Sequence, residues 1–191
     1  MSQLPIYLYG TDVLKKKAKK VTEVTNADIA LIKNMFETMH EANGIGLAAN
    51  QIGELKQILV MDISDMEAGK GIKPLVVINP EVIEEEGEWE FEEGCLSIPD
   101  VRDKVVRAET IRVKYNDINM NDVELEADGL LARVLLHEID HLNGVLFVER
   151  LNATKRTLLK SKLRKIQKGD VETSYEVVIA PTDKPKAKKK K

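Results

Sequence analysis

His137-Glu138-Ile139-Asp140-His141 is the stretch from which the rest of the chain is read. At 3.6 residues per turn, positions four apart stack on one helix face, so both imidazoles can reach a single ion. Glu138 falls at the edge of that face, where it can take a proton from water held by the ion without ligating the ion itself. This pattern suits metal-assisted hydrolysis with the carboxylate as general base. The plainer alternative is a buried helix with two hydrogen-bonded histidines. Glu in second place, and only 3 His in the whole chain, favour the metal.

A catalytic site of this type uses three protein ligands and leaves one position open. The extended metalloprotease pattern continues Gly-x-x-His, but here Gly144 is followed by Phe147 where the third His should stand. Cys95, His40 or a distant carboxylate remain as candidates. Cys95 is the single cysteine, so it has no intrachain disulfide partner, and its solitary use fits a reducing compartment. A lone cysteine is usually a small buried hydrophobe. In Glu92-Glu93-Gly94-Cys95-Leu96-Ser97-Ile98-Pro99, however, Gly94 permits tight backbone geometry and Pro99 resists helix, so an extended segment could carry the thiol to the metal helix. Ligand count ranks Cys95 ahead of His40, which lies on the expected first helix.

Gly44-Ile45-Gly46-Leu47-Ala48-Ala49-Asn50-Gln51-Ile52-Gly53 is a third constellation. Its small residues let a substrate approach the backbone closely. No Gly-Lys-Ser/Thr follows, so it is not a phosphate loop. Gln51 is either a turn hydrogen-bonder or an amide donor aimed at a developing oxyanion.

The 191 residues, 43% hydrophobic, suit one globular domain. The chain shows no apolar run of membrane-spanning length, and its N-terminus lacks a signal-peptide pattern, so a cytoplasmic protein is expected. The patterning reads as α+β: antiparallel and mixed β-sheets packed around a central metal-binding helix, with a basic C-terminal helix. Thr25 to Ala42 reads as a helix with an Ile29, Ile32, Met35, Phe36, Met39 stripe. Gln57–Asp62, Pro74–Asn79, Glu81–Glu93 and Thr110–Tyr115 read as strands, with the acidic residues of 84–93 on a solvated face and Gly87 near a turn. Asp128 opens the metal helix and Asn143-Gly144 closes it. On that helix Leu130 and Val134 share a strip with the histidines and, with Ile45 and Phe91, can line a pocket for an unbranched apolar side chain. Arg133 and Asp140 fall on a different strip, where they can pair with each other, or Asp140 can orient its surroundings.

Charge is uneven. Residues 152–191 carry 13 Lys+Arg and 4 Asp+Glu, a net of +9, so the overall −3 leaves −12 to residues 1–151. Lys155 to Lys168 holds seven basic residues and no acidic one, with an apolar stripe of Leu159, Leu163 and Ile166. The expected domain is 1–168, followed by a lysine-rich disordered tail over 169–191. The basic segment is either a solubilising face or a contact for RNA.

Taken together and in this order, Gly44-Ile45-Gly46-Leu47-Ala48-Ala49-Asn50-Gln51, Glu93-Gly94-Cys95-Leu96-Ser97 and His137-Glu138-Ile139-Asp140-His141 resemble the peptide deformylase family of bacteria and organelles. The resemblance runs from about Leu4 to Gln167 and includes Ile6-Tyr7-Leu8-Tyr9-Gly10 and Asn79-Pro80. It implies a metal-dependent hydrolase that removes the formyl group from the N-terminal formylmethionine of nascent polypeptides. Cys95, His137 and His141 would hold one divalent ion, natively Fe2+, with Zn2+, Ni2+ or Co2+ as substitutes. The same resemblance makes Glu138 the general acid/base, Gln51 and the Leu96 amide the oxyanion donors, and Gly46 a backbone contact for the substrate. Arg102 would meet the substrate peptide, and Ile45, Leu130, Val134 and Phe91 would receive the methionine side chain. It also implies a bacterial, cytoplasmic monomer that meets the ribosome through its basic C-terminal segment. Two other readings compete: a zinc peptidase built on the same helix, and a binding relative without activity.

Overall fold

In a computed structural model describing residues 3–181, the chain runs β1 (Ile6–Tyr7), α1 (Asn26–Glu41), β2 (Gly46–Ala48), β3 (Ile58–Met61), β4 (Leu75–Glu86), β5 (Trp89–Cys95), β6 (Ile98–Arg107), β7 (Thr110–Asn116), β8 (Asp122–Asp128), α2 (Gly129–Leu142), α3 (Ala153–Gln167) and β9 (Val177–Val178). Five strands form an antiparallel sheet in the order β2-β3-β4-β7-β8. β5 and β6 form a separate antiparallel hairpin, and β1 and β9 pair in parallel. This is the expected α+β architecture, with antiparallel sheets packed around α2 and no single sheet mixed among the described residues.

α2 is buried without interruption from Ala132 to Leu142. Its Leu135 and Leu142 belong to one core with Leu59, Met61, Val77, Ile111 and Val113 of the five-stranded sheet. Truncating either leucine to alanine would cost about 2–5 kcal/mol. A helix enclosed on all sides must be apolar all round or carry polar groups that find partners. Arg133, His137 and Asp140 are such groups, and Glu138 and His141, each with a buried polar atom left unpartnered among the described residues, lie beside them, so the centre of the fold is also where its chemistry gathers. Asp128 precedes the helix and Gly144 (φ 76) follows it, as the sequence indicates. A Cβ on Gly144 would lie 2.6 Å from the Lys15 carbonyl oxygen, so space and backbone conformation both select glycine there.

α1 matches its expected span to within one residue at each end. Thr25 and Asp28 form a capping box: the Thr25 hydroxyl accepts from the Asp28 amide at 3.3 Å, and the Asp28 carboxylate accepts from the Thr25 amide at 2.9 Å. Ile32, Met35 and Met39 enter the core, whereas Ile29 faces solvent. The strands need one correction. Pro74–Asn79 and the start of Glu81–Glu93 are a single strand, β4, not two. Asn79 adopts φ 52 ahead of Pro80, the register shifts between Ile78 and Glu81, and the Asn79 amide bonds both the N–H and the C=O of Val21 at 2.8 Å. Proline is tolerated in a sheet at such a bulge. Gly87 (φ 71) does turn the chain, but between two sheets, since β4 pairs with β7 while β5 pairs with β6.

Past Lys168 the chain rejoins the fold. Ile6 N–H donates to the Glu176 carbonyl at 2.9 Å, Leu8 N–H to that of Val178 at 2.8 Å, and Ala180 is buried. The boundary expected at residue 168 therefore does not end the folded unit, and the expected disordered tail over 169–191 is corrected for residues 169–180. The lysine-rich stretch from 182 to 191 lies outside the described residues.

Asp28 is 2% exposed and also pairs with Lys56. Burial alone would push its carboxyl up, but Lys56 and the Thr25 hydroxyl and amide outweigh it and hold the pKa at about 2. A carboxyl depressed on folding adds stability above its unfolded pKa and loses it as pH falls through the folded value. Asp28→Asn should lower the unfolding free energy by about 2 kcal/mol at pH 7, and the gap to the parent should close between about pH 4 and pH 2. Denaturant titrations across that range check it; a gap undiminished at pH 2 would place the loss in cap geometry alone.

Candidate metal centre

Two elements carry the three donors. α2 presents His137 and His141 on one face, with ring centroids 5.0 Å apart. Cys95 ends β5, where a register shift after Gly94 breaks the regular pairing and Leu96-Ser97 turn the chain into β6. Cys95 Sγ lies 3.1 Å from His141 Nε2, and the donor atoms of Cys95, His137 and His141 all lie within 4.8 Å of one another. Ligands held about 2.0–2.3 Å from one tetrahedral ion are themselves about 3.3–3.6 Å apart, so this set suits a single ion. His40 is outside it: on α1, about half exposed, its Nε2 lies 3.0 Å from Asp62. Of the candidates for third donor, Cys95 is the one that joins the α2 histidines.

Glu93 builds the charge around these donors. Its carboxylate accepts from Arg107 Nε at 2.6 Å and Nη2 at 3.0 Å, from Arg133 Nη1 at 2.9 Å, and meets His137 Nδ1 at 2.9 Å. Burial alone would raise the Glu93 pKa, but the His137 and Arg107 bonds outweigh it and hold the carboxyl well below the usual range. With Nδ1–H given to Glu93, His137 turns Nε2 to the donor cluster, as a metal-ligating histidine requires. Burial disfavours charge on His137, yet Cys95, Glu93 and Glu138 hold its pKa up, at about 10. Burial, with His137 and Arg107 adding to it, pushes His141 well down, which leaves it a neutral imidazole. The cluster thus calls for positive charge at its middle, which a divalent cation supplies.

Glu138 is buried against Gly46, and among the described residues its Oε2 has no hydrogen-bond partner. A Cβ on Gly46 would fall 2.5 Å from Glu138 Oε1 and 2.9 Å from Val134 Cγ1, so only glycine fits. Burial pushes the Glu138 carboxyl up to about 7, against the pull of His137 and Arg107. Gln51 Oε1 accepts from the Ala48 amide at 2.8 Å, which points Nε2 at Ser97 Oγ (3.3 Å) and Cys95 Sγ (3.6 Å). Ile45 and Leu130 pack on the core cluster that contains Val134. Phe91, 41% exposed, stacks on Trp89, and the Arg102 side chain is 71% exposed opposite Gly94; neither is drawn into the buried cluster.

The sequence model of polypeptide deformylase matches residues 3–157. The chain belongs to the polypeptide deformylase family. It is 49% identical over 183 residues to the peptide deformylase of Salinibacter ruber, covering 92% of this chain and 94% of that one. Among solved structures it resembles the Legionella pneumophila peptide deformylase (42% identity, TM-score 0.80, 88% of this chain and 98% of that one) and that of Thermus thermophilus (41%, 0.81, 88% and 99%). The Ehrlichia chaffeensis peptide deformylase in complex with actinonin is similar as well (38%, 0.80, 90% and 100%). As a deformylase the chain is a metal-dependent hydrolase that removes the N-formyl group from formylmethionyl nascent polypeptides.

Several residues around this deformylase centre escape the sequence reading. Glu93 is read there as one more solvated acid, and Arg107 is not singled out. Arg133 does not pair with Asp140; it bonds Glu93 and the carbonyls of Val105 and Trp89, while Asp140 accepts from Arg107 at 2.6 Å and from Arg150. One signal for Glu93 was available: it stands two residues before Cys95 in a strand, and alternation puts both on one face. Arg107 gave none, because charged residues mask the strand that carries it. Removing a partner that orients a metal-ligating histidine typically costs about 10- to 100-fold in metal affinity. Glu93→Gln should show that loss when titrated against a competing chelator, with His137 still present. An affinity equal to the parent's would contradict the orienting role.

Proposed function

We propose that Glu138 carries the proton in deformylation, that Gln51 Nε2 and the Leu96 amide receive the oxyanion, and that Cys95, His137 and His141 hold the ion. The observation that carries this reading is Glu138 itself: buried, raised to about 7, with one unpartnered oxygen beside the donor cluster. A general acid/base works best with a pKa near the operating pH. When bound, a divalent ion supplies Lewis acidity that activates water and polarises the formyl oxygen. Glu138 takes the proton from the attacking water and returns it to the leaving amine, releasing formate and a free N-terminus. Gln51 is suited to its part because Ala48 fixes its carbonyl end and leaves its N–H groups aimed inward. Gly46 packs its bare Cα directly against Glu138, and its backbone is the contact for the substrate beside the acid. Ile45, Leu130 and Val134, with Phe91 at the rim, receive the methionine side chain, and Arg102 meets the peptide outside.

The native ion in this proposal is Fe2+, and the same donors accept Zn2+, Ni2+ or Co2+. With ferrous iron bound, the Cys95 sulfur would be open to oxidation by oxygen in air. The enzyme acts as a monomer in the bacterial cytoplasm, where its substrates emerge. Among the described residues no helix is long and apolar enough to cross a membrane. α3 buries Leu163 and Ile166, turns Lys155 onto Asp103 and Lys162 onto the Asp100 carbonyl, and leaves Arg156, Lys160, Arg164 and Lys165 exposed, which suits a contact with ribosomal RNA.

Glu138→Ala should keep its ion and lose formate release from formyl-Met-Ala by at least about 100-fold; a loaded variant near parental activity would contradict the role. Binding to ribosomes in sedimentation should weaken steeply as salt rises, because counterion release drives it. Salt-insensitive binding, or none, removes the RNA contact.

A further inference from the structure

Tyr175 stands outside every motif read in the sequence, in the segment beyond α3. Its hydroxyl donates to the Leu96 carbonyl at 2.7 Å. Leu96 and Ser97 are the two residues joining β5 to β6, directly after the donor Cys95. Among the described residues, three hydrogen bonds hold this turn from outside. Gln51 Nε2 donates to Ser97 Oγ at 3.3 Å, and Tyr9 N–H donates to the Ser97 carbonyl at 2.8 Å. Of the three, only the Tyr175 bond grips Leu96.

The route by which Tyr175 arrives is specific. Ile6↔Val177 and Tyr7↔Val178 pairing fixes β9 on β1, and Ile6 N–H holds the Glu176 carbonyl at 2.9 Å. Thr173 Oγ1 donates to the Tyr175 carbonyl at 2.8 Å. Tyr175 and Leu96 both pack on the core that contains Met35, Met39 and Leu47. Burial, with Cys95 and Asp100 nearby, pushes the phenol up to about 12, so the hydroxyl keeps its proton and remains a donor.

We infer that Tyr175 is a positioning residue for deformylation: by holding the Leu96 carbonyl it fixes the backbone of the β5–β6 turn and so aims the Leu96 amide at the oxyanion. The inference rests on the reading of that amide as an oxyanion donor. Cys95 anchors the peptide unit on the N-terminal side of Leu96, and Tyr175 anchors the one on its C-terminal side, so both Leu96 dihedrals are set before substrate arrives. A donor stabilises a transition state to the extent that it is already in place. The chain after α3 then forms part of the active-site scaffold.

Tyr175→Phe removes one hydroxyl and keeps the ring. With formyl-Met-Ala its kcat should fall roughly 3- to 10-fold, less than the roughly 100- to 1000-fold of a lost oxyanion donor. KM and bound metal per chain should match the parent, the melting temperature should fall by only about 2–4 °C for the one lost hydrogen bond, and hydrogen exchange at the Leu96 amide should quicken. A fall in activity that only tracks lost metal or a larger drop in melting temperature would make Tyr175 structural and overturn the inference. Leu96→Pro, which deletes the amide hydrogen, separates this from the underlying reading. If loaded Leu96→Pro is inactive and Tyr175→Phe keeps parental kcat, the positioning role alone fails. If loaded Leu96→Pro keeps parental kcat, the oxyanion reading fails, and the positioning role with it.

Discussion

Glu93 sits where the β5–β6 hairpin meets α2, and one buried carboxylate there accepts from Arg107 on β6 and from Arg133 and His137 on α2. Cys95 and His137 are far apart in the chain, so a shared ion requires the two elements to be locked in one relative position. Hydrophobic packing alone is non-directional; this set of charge-assisted bonds is directional and short. Buried charges are costly unless each finds its partner, and deleting one partner typically costs about 3–5 kcal/mol. The lock therefore acts through geometry more than through net stability: it sets the His137 tautomer and the distance from the turn to the helix together.

The network continues away from the centre. Arg107 bridges Glu93 to Asp140, and Asp140 holds Arg150 beyond the end of α2. Two acids close together on one helix thus take opposite parts. Asp140, ringed by arginines, organises structure. Glu138, desolvated and only partly offset by positive charge, sits near neutrality with a free oxygen. The environment, not the residue type, divides the roles.

How much of this was legible in the sequence follows from the range of each signal. Local periodicity gave α1 with its Thr25 cap and α2 between Asp128 and Gly144, because caps and the 3.6-residue repeat are written within a few residues. The spacing of His137 and His141, and the scarcity of other nitrogen and sulfur ligands, narrowed the third donor to Cys95, His40 or a distant carboxylate; the resemblance favoured Cys95, and the structure brings Cys95 to the histidines. Long-range pairings were not written in this way. β6 carries Asp103, Lys104 and Arg107 among its valines, which masks its alternation. β9 pairs with a two-residue strand at the other end of the chain. Asn79-Pro80 looks like a break and is a bulge, because Val21 supplies the missing partners. Glu93 resembles its exposed neighbours until the strand register turns it inward.

The most direct test of the account is X-ray absorption at the metal edge of protein loaded anaerobically with one zinc or iron per chain. The account predicts a first sphere with a single sulfur at about 2.3 Å and two imidazole nitrogens at about 2.0–2.1 Å, the values of a Cys-His-His set with its fourth position open; for Cys95→Ser it predicts that the sulfur shell disappears. A parent spectrum with no sulfur shell, or one unchanged in Cys95→Ser, would contradict it.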